Sequence, residues 1–335
     1  MKRLAFAALA LVLGAGGAAR ADSVIVLNSE EASYSVLSRS ARVEMARIPL
    51  GREPHHLAMT PDGKEVLIAS TVTNELVVLD SKTGERRRVV RDIVDPYQLG
   101  FSPDGKWFVT AAYRLDHVDI YRADGFKLLS RIFLDGLPSH LDFDKESKTV
   151  FVTLQQSGRV VALDLQTQMI KWNVEVGKAP AGVVVLPDNK RLLVALTGED
   201  GLVVMNPADG VVTGRLPTGK GAHNFSPKGD GRHWFLSNRI EGTVSLIDTQ
   251  DMSVTNTIRV PGGPDCMDIT PEGNELWVTQ RFLRRIAVVD MATLKVVASV
   301  SVGKSPHGVF ILKAPAATTT TGLPVRAAST EADSK

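Results

Sequence analysis

An all-β fold, a seven-bladed β-propeller, is what this sequence predicts, on three observations. First, a unit recurs every 42 residues: Pro54, Pro96, Pro138, Pro180, Pro264 and Pro306 stand at that interval, with Ala222 in the remaining slot. Second, turn sequences repeat inside the units, Pro-Asp-Gly at 61–63 and 103–105, Pro-Asp-Asn at 187–189 and Pro-Glu-Gly at 271–273. Third, the units repeat a short, almost wholly apolar run: FVTAA from Phe108, VFVTL from Val150, LLVAL from Leu192, WFLSN from Trp234 and LWVTQ from Leu276. A fixed period of about 40 residues with several strands per unit marks an array of propeller blades.

The unit at 51–90 shows how each strand arises. His56 to Thr60 precedes the Pro-Asp-Gly turn, where proline presets φ and glycine supplies the positive φ of the reversal. Val66 to Ser70 is apolar on both faces, as expected of a strand covered on both sides. A polar turn at Thr73 and Asn74 leads to Leu76–Asp80, and Lys82-Thr83-Gly84 leads to the charged run Glu85 to Val90, which fits a solvated outer edge. Asp80, Asp164, Asp248 and Asp290 close their units at the same spacing, with Arg122 and Asn206 as variants.

The chain divides into three segments. Residues 1–21 read as a secretory signal peptide: Lys2 and Arg3, the apolar run Leu4 to Leu13, then Ala19-Arg20-Ala21 as the cleavage site. The run is too short to span a membrane, so the expected location is the periplasm, or outside the cell. Residues 22–313 form the propeller. Val24–Asn28, Ser33–Ser38 and Val43–Ile48 align with the second, third and fourth strands of the unit, while the missing first strand stands at Pro306–Leu312. One blade is therefore expected to combine three N-terminal strands with one C-terminal strand, which ties the ring shut and removes an open edge. Residues 314–335 are small and polar without apolar periodicity and are expected to be disordered.

The chain carries a formal net charge of +2, which becomes about −1 once Lys2, Arg3 and Arg20 are removed. Bulk charge thus gives no argument for nucleic acid or an anionic membrane. The one cysteine, Cys266, cannot form an internal disulfide. Phosphate-binding glycine loops, the GxSxG elbow and HExxH are missing, and so is CxxCH, which excludes covalent c-type haem.

The segments SPDGKWFVTAAYRLDHVDIY, SNRIEGTVSLID and TPEGNELWVTQRFLRRIAVVD resemble the YVTN β-propeller repeat family, which is related to the propellers of cytochrome-type nitrite reductase and nitrous-oxide reductase. The resemblance covers about 24–313. It implies the propeller fold; that family includes binding proteins, cofactor handlers and enzymes. In cofactor-handling relatives one face receives a tetrapyrrole, its iron bound by histidine and its carboxylates by arginine. Resemblance to the nitrous-oxide reductase propeller makes copper the first choice of metal, with zinc, iron or haem as alternatives.

Function is sought where the blades differ. The residue after the repeat proline should ring one mouth of the central channel, and reads His55, Tyr97, Ser139, Ala181, His223, Asp265 and His307. The next position reads His56, Gln98, His140, Gly182, Asn224, Cys266 and Gly308. His223, Asp265, His307 and His55 come from four consecutive blades, and imidazoles with a carboxylate make a transition-metal site. A general-base cluster is the competing use. His56, His140 and Cys266 are weaker candidates, because the second position is expected to point between blades. His117 and His233 are expected on outer strand positions. Arg114, Arg239 and Arg281, with Tyr97, are candidates for holding an anionic cofactor or ligand at the same mouth. The expected function is binding of a metal, a small ligand or an anionic metallocofactor, by a protein that is monomeric and without a membrane span. The alternatives are a rigid scaffold for another periplasmic protein, and a metal- or histidine-dependent enzyme.

Overall fold

The computed structural model describes residues 22–312, so the expected signal peptide and the expected disordered tail lie outside the described residues. Those residues form seven four-stranded antiparallel sheets. Six are continuous in sequence and span 54–91, 96–133, 138–175, 180–217, 222–259 and 264–301, here blades 1 to 6. The seventh is composite: Pro306–Ile311 is its inner strand, followed by Ser23–Asn28, Ser33–Ser38 and Val43–Pro49. Its two chain ends meet where the Leu312 N–H donates to the Ser23 carbonyl at 2.9 Å. Apart from two short 3-10 turns, Ser29–Glu31 and Asp124–Phe126, the described residues hold no helix, and none is long and apolar enough to cross a membrane.

The second and third strands of each blade carry the core. Val66 to Ala69, Leu76 to Leu79 and their equivalents are almost fully buried, because each sheet packs both faces against neighbouring blades. Gly63, Gly105 and Gly273 take φ near 70° in the repeat turns, where a side chain would be strained. Each inner strand contacts the inner strand of the next blade, which closes the ring. Three side chains stitch these strands across blade boundaries: Gln98 accepts from the Leu141 N–H, Asp142 Oδ2 accepts from the Val185 N–H at 2.7 Å, and Asp268 Oδ2 accepts from the Ile311 N–H at 2.8 Å.

One feature of the inner strands sets up the site. In every blade the pairing register slips between the repeat position and the residues that follow, so that the inner strand carries one extra residue there. Such a β-bulge leaves a residue out of the ladder and re-aims its side chain. The N–H groups of His140, Asn224 and Cys266, freed from the ladder, donate instead to the hydroxyls of Thr153, Ser237 and Thr279 at 3.0–3.1 Å. These hydroxyls explain the single Thr or Ser inside otherwise apolar second strands, since a buried N–H needs a partner.

His117 differs from expectation. It lies on the third strand of blade 2 and is buried, with Nδ1 on the Leu115 carbonyl at 3.1 Å. His233 sits partly exposed on a second strand, beside Asp230 and Asp248. His117 borders a buried network in which Asp119 accepts two bonds from Arg131 and one from Tyr121, each 2.8–2.9 Å. Burial would raise the Asp119 pKa, but the hydrogen bonds from Arg131, with His117 close by, prevail and lower it.

Two outcomes follow for stability. Ile311→Ala, in the closing strand, should cost about 2–4 kcal/mol in urea unfolding, whereas Met169→Ala at an exposed site should stay within about 0.5 kcal/mol; equal effects would contradict closure through this strand. A depressed carboxylate stabilises above its unfolded pKa, and that contribution is lost as pH falls through the folded value. Asp119→Asn should therefore cost about 3 kcal/mol at pH 7, and its gap to the parent should close on acidification below about pH 4; a pH-independent gap would exclude the ion pair as the cause.

Candidate functional site

At the second position after the repeat proline, His56 and His140 join the ring of histidines, which corrects the expectation for these two; Gln98 and Cys266 reach toward the neighbouring blade, as expected. His55 and His56 from blade 1, His140 from blade 3, His223 from blade 5, Asp265 from blade 6 and His307 from the composite blade are all buried. Their rings touch in sequence around the axis: His55–His307 at 3.7 Å between centroids, His56–His307 at 4.6 Å, His56–His140 at 5.1 Å and His140–His223 at 5.3 Å.

Hydrogen bonds decide which ring nitrogen carries the proton. A carbonyl oxygen can only accept, so His307 is protonated on Nδ1, which donates to the His55 carbonyl at 2.9 Å. His56 Nδ1 likewise donates to the Tyr97 carbonyl at 2.8 Å. Thr197 gives its hydroxyl proton to the Ala222 carbonyl at 2.9 Å and therefore accepts from His223 Nδ1 at 3.0 Å. His140 Nδ1 lies 2.7 Å from the Ser139 hydroxyl. The Nε2 atoms of His56, His140, His223 and His307 are buried and have no hydrogen-bond partner among the described residues, and the same holds for Asp265 Oδ1. Burial drives the imidazole pKa values down, to about 4 for His56 and well below the usual histidine value for His55, His140, His223 and His307, so the rings are neutral. For His56, His223 and His307 the inward nitrogen is consequently a lone pair.

Two sets of three converge closely enough to share an ion: His223, Asp265 and His307, and His55, His56 and His307, with the donor atoms of each within 4.8 Å of one another. In the first set, His223 Nε2 stands 3.4 Å from Asp265 Oδ1, and His307 Nε2 stands 3.6 Å from Asp265 Oδ2. Tetrahedral donors at about 2.0–2.1 Å from a metal lie about 3.4 Å apart. Of the four ligands expected from the sequence, three therefore meet directly. His55 belongs to the second set, faces His56 Nδ1 at 2.9 Å through its own Nδ1, and orients His307 through its carbonyl.

Arg239 and Arg281 do reach this cluster, but their charge is already engaged. Both donate to Asp265 Oδ2, at 2.7 and 3.3 Å. Burial would raise the Asp265 pKa, yet the guanidinium charges of Arg239 and Arg281 hold it well below the carboxylate range. Arg114, expected to join them, is held by Asp95 at 2.7 Å and Glu53 at 2.9 Å instead. The loop N–H groups of Lys178, Lys220 and Lys304 bind the carboxylates of Glu199, Glu241 and Glu31, which occupy one repeat position. Tyr97 stacks between His55, at 3.9 Å, and Tyr113, at 4.5 Å. Cys266 accepts from Asn224 at 3.3 Å among apolar neighbours, and burial pushes its thiol pKa up, which disfavours the thiolate a metal would need.

Sequence reasoning did not single out Thr197, the partner of His223, or Tyr113. Thr197 follows an apolar run directly, and that placement is the one signal the sequence offered. Asp265→Ala should lower stability by about 3 kcal/mol, because two guanidinium groups lose their carboxylate, while Arg281→Ala should cost less; thermal unfolding that ranks them in the opposite order would refute this balance.

Comparison with known proteins gives the following. Residues 3–316 match a family model described as YNCE-like beta-propeller. Antigen Lp49 of Leptospira interrogans is 21% identical over 230 residues, 67% of this chain, and the match spans 44% of that protein's length. Among solved structures, a functionally unknown protein from Desulfotomaculum acetoxidans superposes with a TM-score of 0.75 at 15% identity, over 88% of this chain and 100% of that one. A chain of Kuenenia stuttgartiensis hydrazine synthase gives 0.65 at 18% identity, over 76% and 88%. Dihydro-heme d1 dehydrogenase NirN, in complex with DHE, gives 0.62 at 19% identity, over 84% and 64%. At these identities the likeness concerns the fold.

Proposed function

The chain belongs to the YNCE-like β-propeller family, and for this member we propose a metal-binding function at the axial histidine cluster, exercised in the periplasm. The observation that carries the reading is the set of buried Nε2 and Oδ1 atoms without partners among the described residues, contributed by five blades. Leaving such atoms unpaired costs free energy, about 1–3 kcal/mol for a neutral group, and a cation is the partner that lone pairs on imidazole and carboxylate accept. The Nδ1 protons held by carbonyls and Thr197 are the outer contacts that orient metal-binding histidines.

His223, Asp265 and His307 are the proposed ligands, with His55, His56 and His140 as the flanking donors. Copper remains the first choice, followed by zinc and iron, because a nitrogen-rich donor set ranks Cu(II) above Zn(II). Haem is disfavoured: imidazole rings in contact at 3.7–5.3 Å leave the Nε2 atoms buried where a macrocycle cannot reach. A second reading, a scaffold for another exported protein, is favoured by Leu115, Ile240, Phe282 and Leu283, which stand 49–69% exposed on loops of the same face.

Titration of the full-length protein with Cu(II) and Zn(II) against a chromophoric chelator tests the reading. One equivalent should bind tightly. His223→Ala and His307→Ala should each weaken it by more than the ~10–100-fold that loss of a supporting contact costs, while His233→Ala should behave as the parent. Parent-like binding in both cluster variants would remove the site.

A further inference from the structure

The cluster is positively charged before any metal enters. Asp265 supplies one negative charge, and Arg239 and Arg281 bring two positive charges to its Oδ2. The surrounding imidazoles are neutral, and Asp265, His223 and His307 are at most 1% exposed. A divalent ion at His223, Asp265 and His307 would leave this buried site with three uncompensated positive charges. Buried charge on that scale needs a partner.

Two further features say where the partner sits. The first set offers three protein ligands, and a three-ligand set keeps a coordination position for an outside group. Arg239 Nε is buried with no partner among the described residues, although the same side chain spends Nη2 on Asp265. A guanidinium has five N–H donors in a planar fork that matches oxyanions. Arg239 and Arg281 are also the more open members of the cluster, 18% and 24% exposed, so the approach to the metal position runs past them.

We propose that this site takes up its metal together with a small oxyanion of carboxylate or carbonate size, which fills the open coordination position and accepts hydrogen bonds from Arg239 and Arg281. The inference rests on the metal reading above. The arginines then have two roles, holding Asp265 in place and requiring an anion to accompany the metal. Metal and anion should strengthen each other's binding equally, because coupling between two ligands is reciprocal.

The test is Zn(II) affinity of the full-length protein, measured by chelator competition at one ionic strength in sodium perchlorate and in sodium formate. Formate should raise the affinity about tenfold or more, and should itself bind the zinc-loaded protein more tightly than the metal-free protein by the same factor. Arg281→Gln should raise zinc affinity in perchlorate, since it removes one positive charge, and should shrink the formate effect. Arg239→Lys keeps the charge but loses the Nε donor; whatever its affinity in perchlorate, the ratio of formate to perchlorate affinity should shrink relative to the parent's, and it keeps the test decisive if Arg281→Gln does not fold. Zinc binding that is equal in the two salts, or an Arg281→Gln protein that folds and binds zinc more weakly in perchlorate, would overturn this inference and leave the metal reading standing. No zinc uptake in either salt would overturn both.

Discussion

Seven inner strands crowd one axis, and each carries an extra residue at its start. A regular strand alternates its side chains between two faces, so only one of two successive residues could face the axis. The bulge breaks that alternation. It turns His55 and His56 inward together, and it brings His140 into contact with His56 and His223. The freed N–H groups are then taken by Thr153, Ser237 and Thr279. Without those hydroxyls each bulge would bury an unpaired N–H, so the polar residues in the second strands and the geometry at the axis form one device.

Preorganisation at the axis follows from the same arrangement. Because each blade is rigid through its buried second and third strands, a carbonyl or hydroxyl of one blade can hold a histidine of the next to within a hydrogen bond. His307 is held by the carbonyl of His55, His56 by that of Tyr97, and His223 by Thr197. Each contact crosses a blade boundary, so the orientation of the donor atoms depends on closure of the ring. Closure in turn depends on the composite blade, where Asn28 accepts from the Gly303 N–H at 2.9 Å and Ser29 donates to the Pro54 carbonyl at 2.7 Å.

Carboxylates stand among the cations of the mouth. Glu31, Glu199 and Glu241 bind loop N–H groups at equivalent positions, and Asp95 and Glu53 hold Arg114. At the axis itself, two guanidinium groups share one carboxylate.

The 42-residue period, the turn residues and the apolar second strands made the ring and its composite blade legible in the sequence, because each is a local pattern repeated at fixed spacing. The register after the repeat proline also pointed to His55, His223, Asp265 and His307, since equivalent positions of a closed ring must face one axis. The roles within the cluster were not legible. That His56 and His140 face inward depends on a slip in hydrogen-bond register, which leaves the spacing of residues along the chain unchanged. That Arg239 and Arg281 meet on Asp265, and that Arg114 does not, depends on which loops of neighbouring blades come together. Sequence alone thus determined that the position directly after the repeat proline approaches the axis. Tertiary structure decided which atoms face one another there, because those contacts join residues from different blades and exist only once the ring is closed.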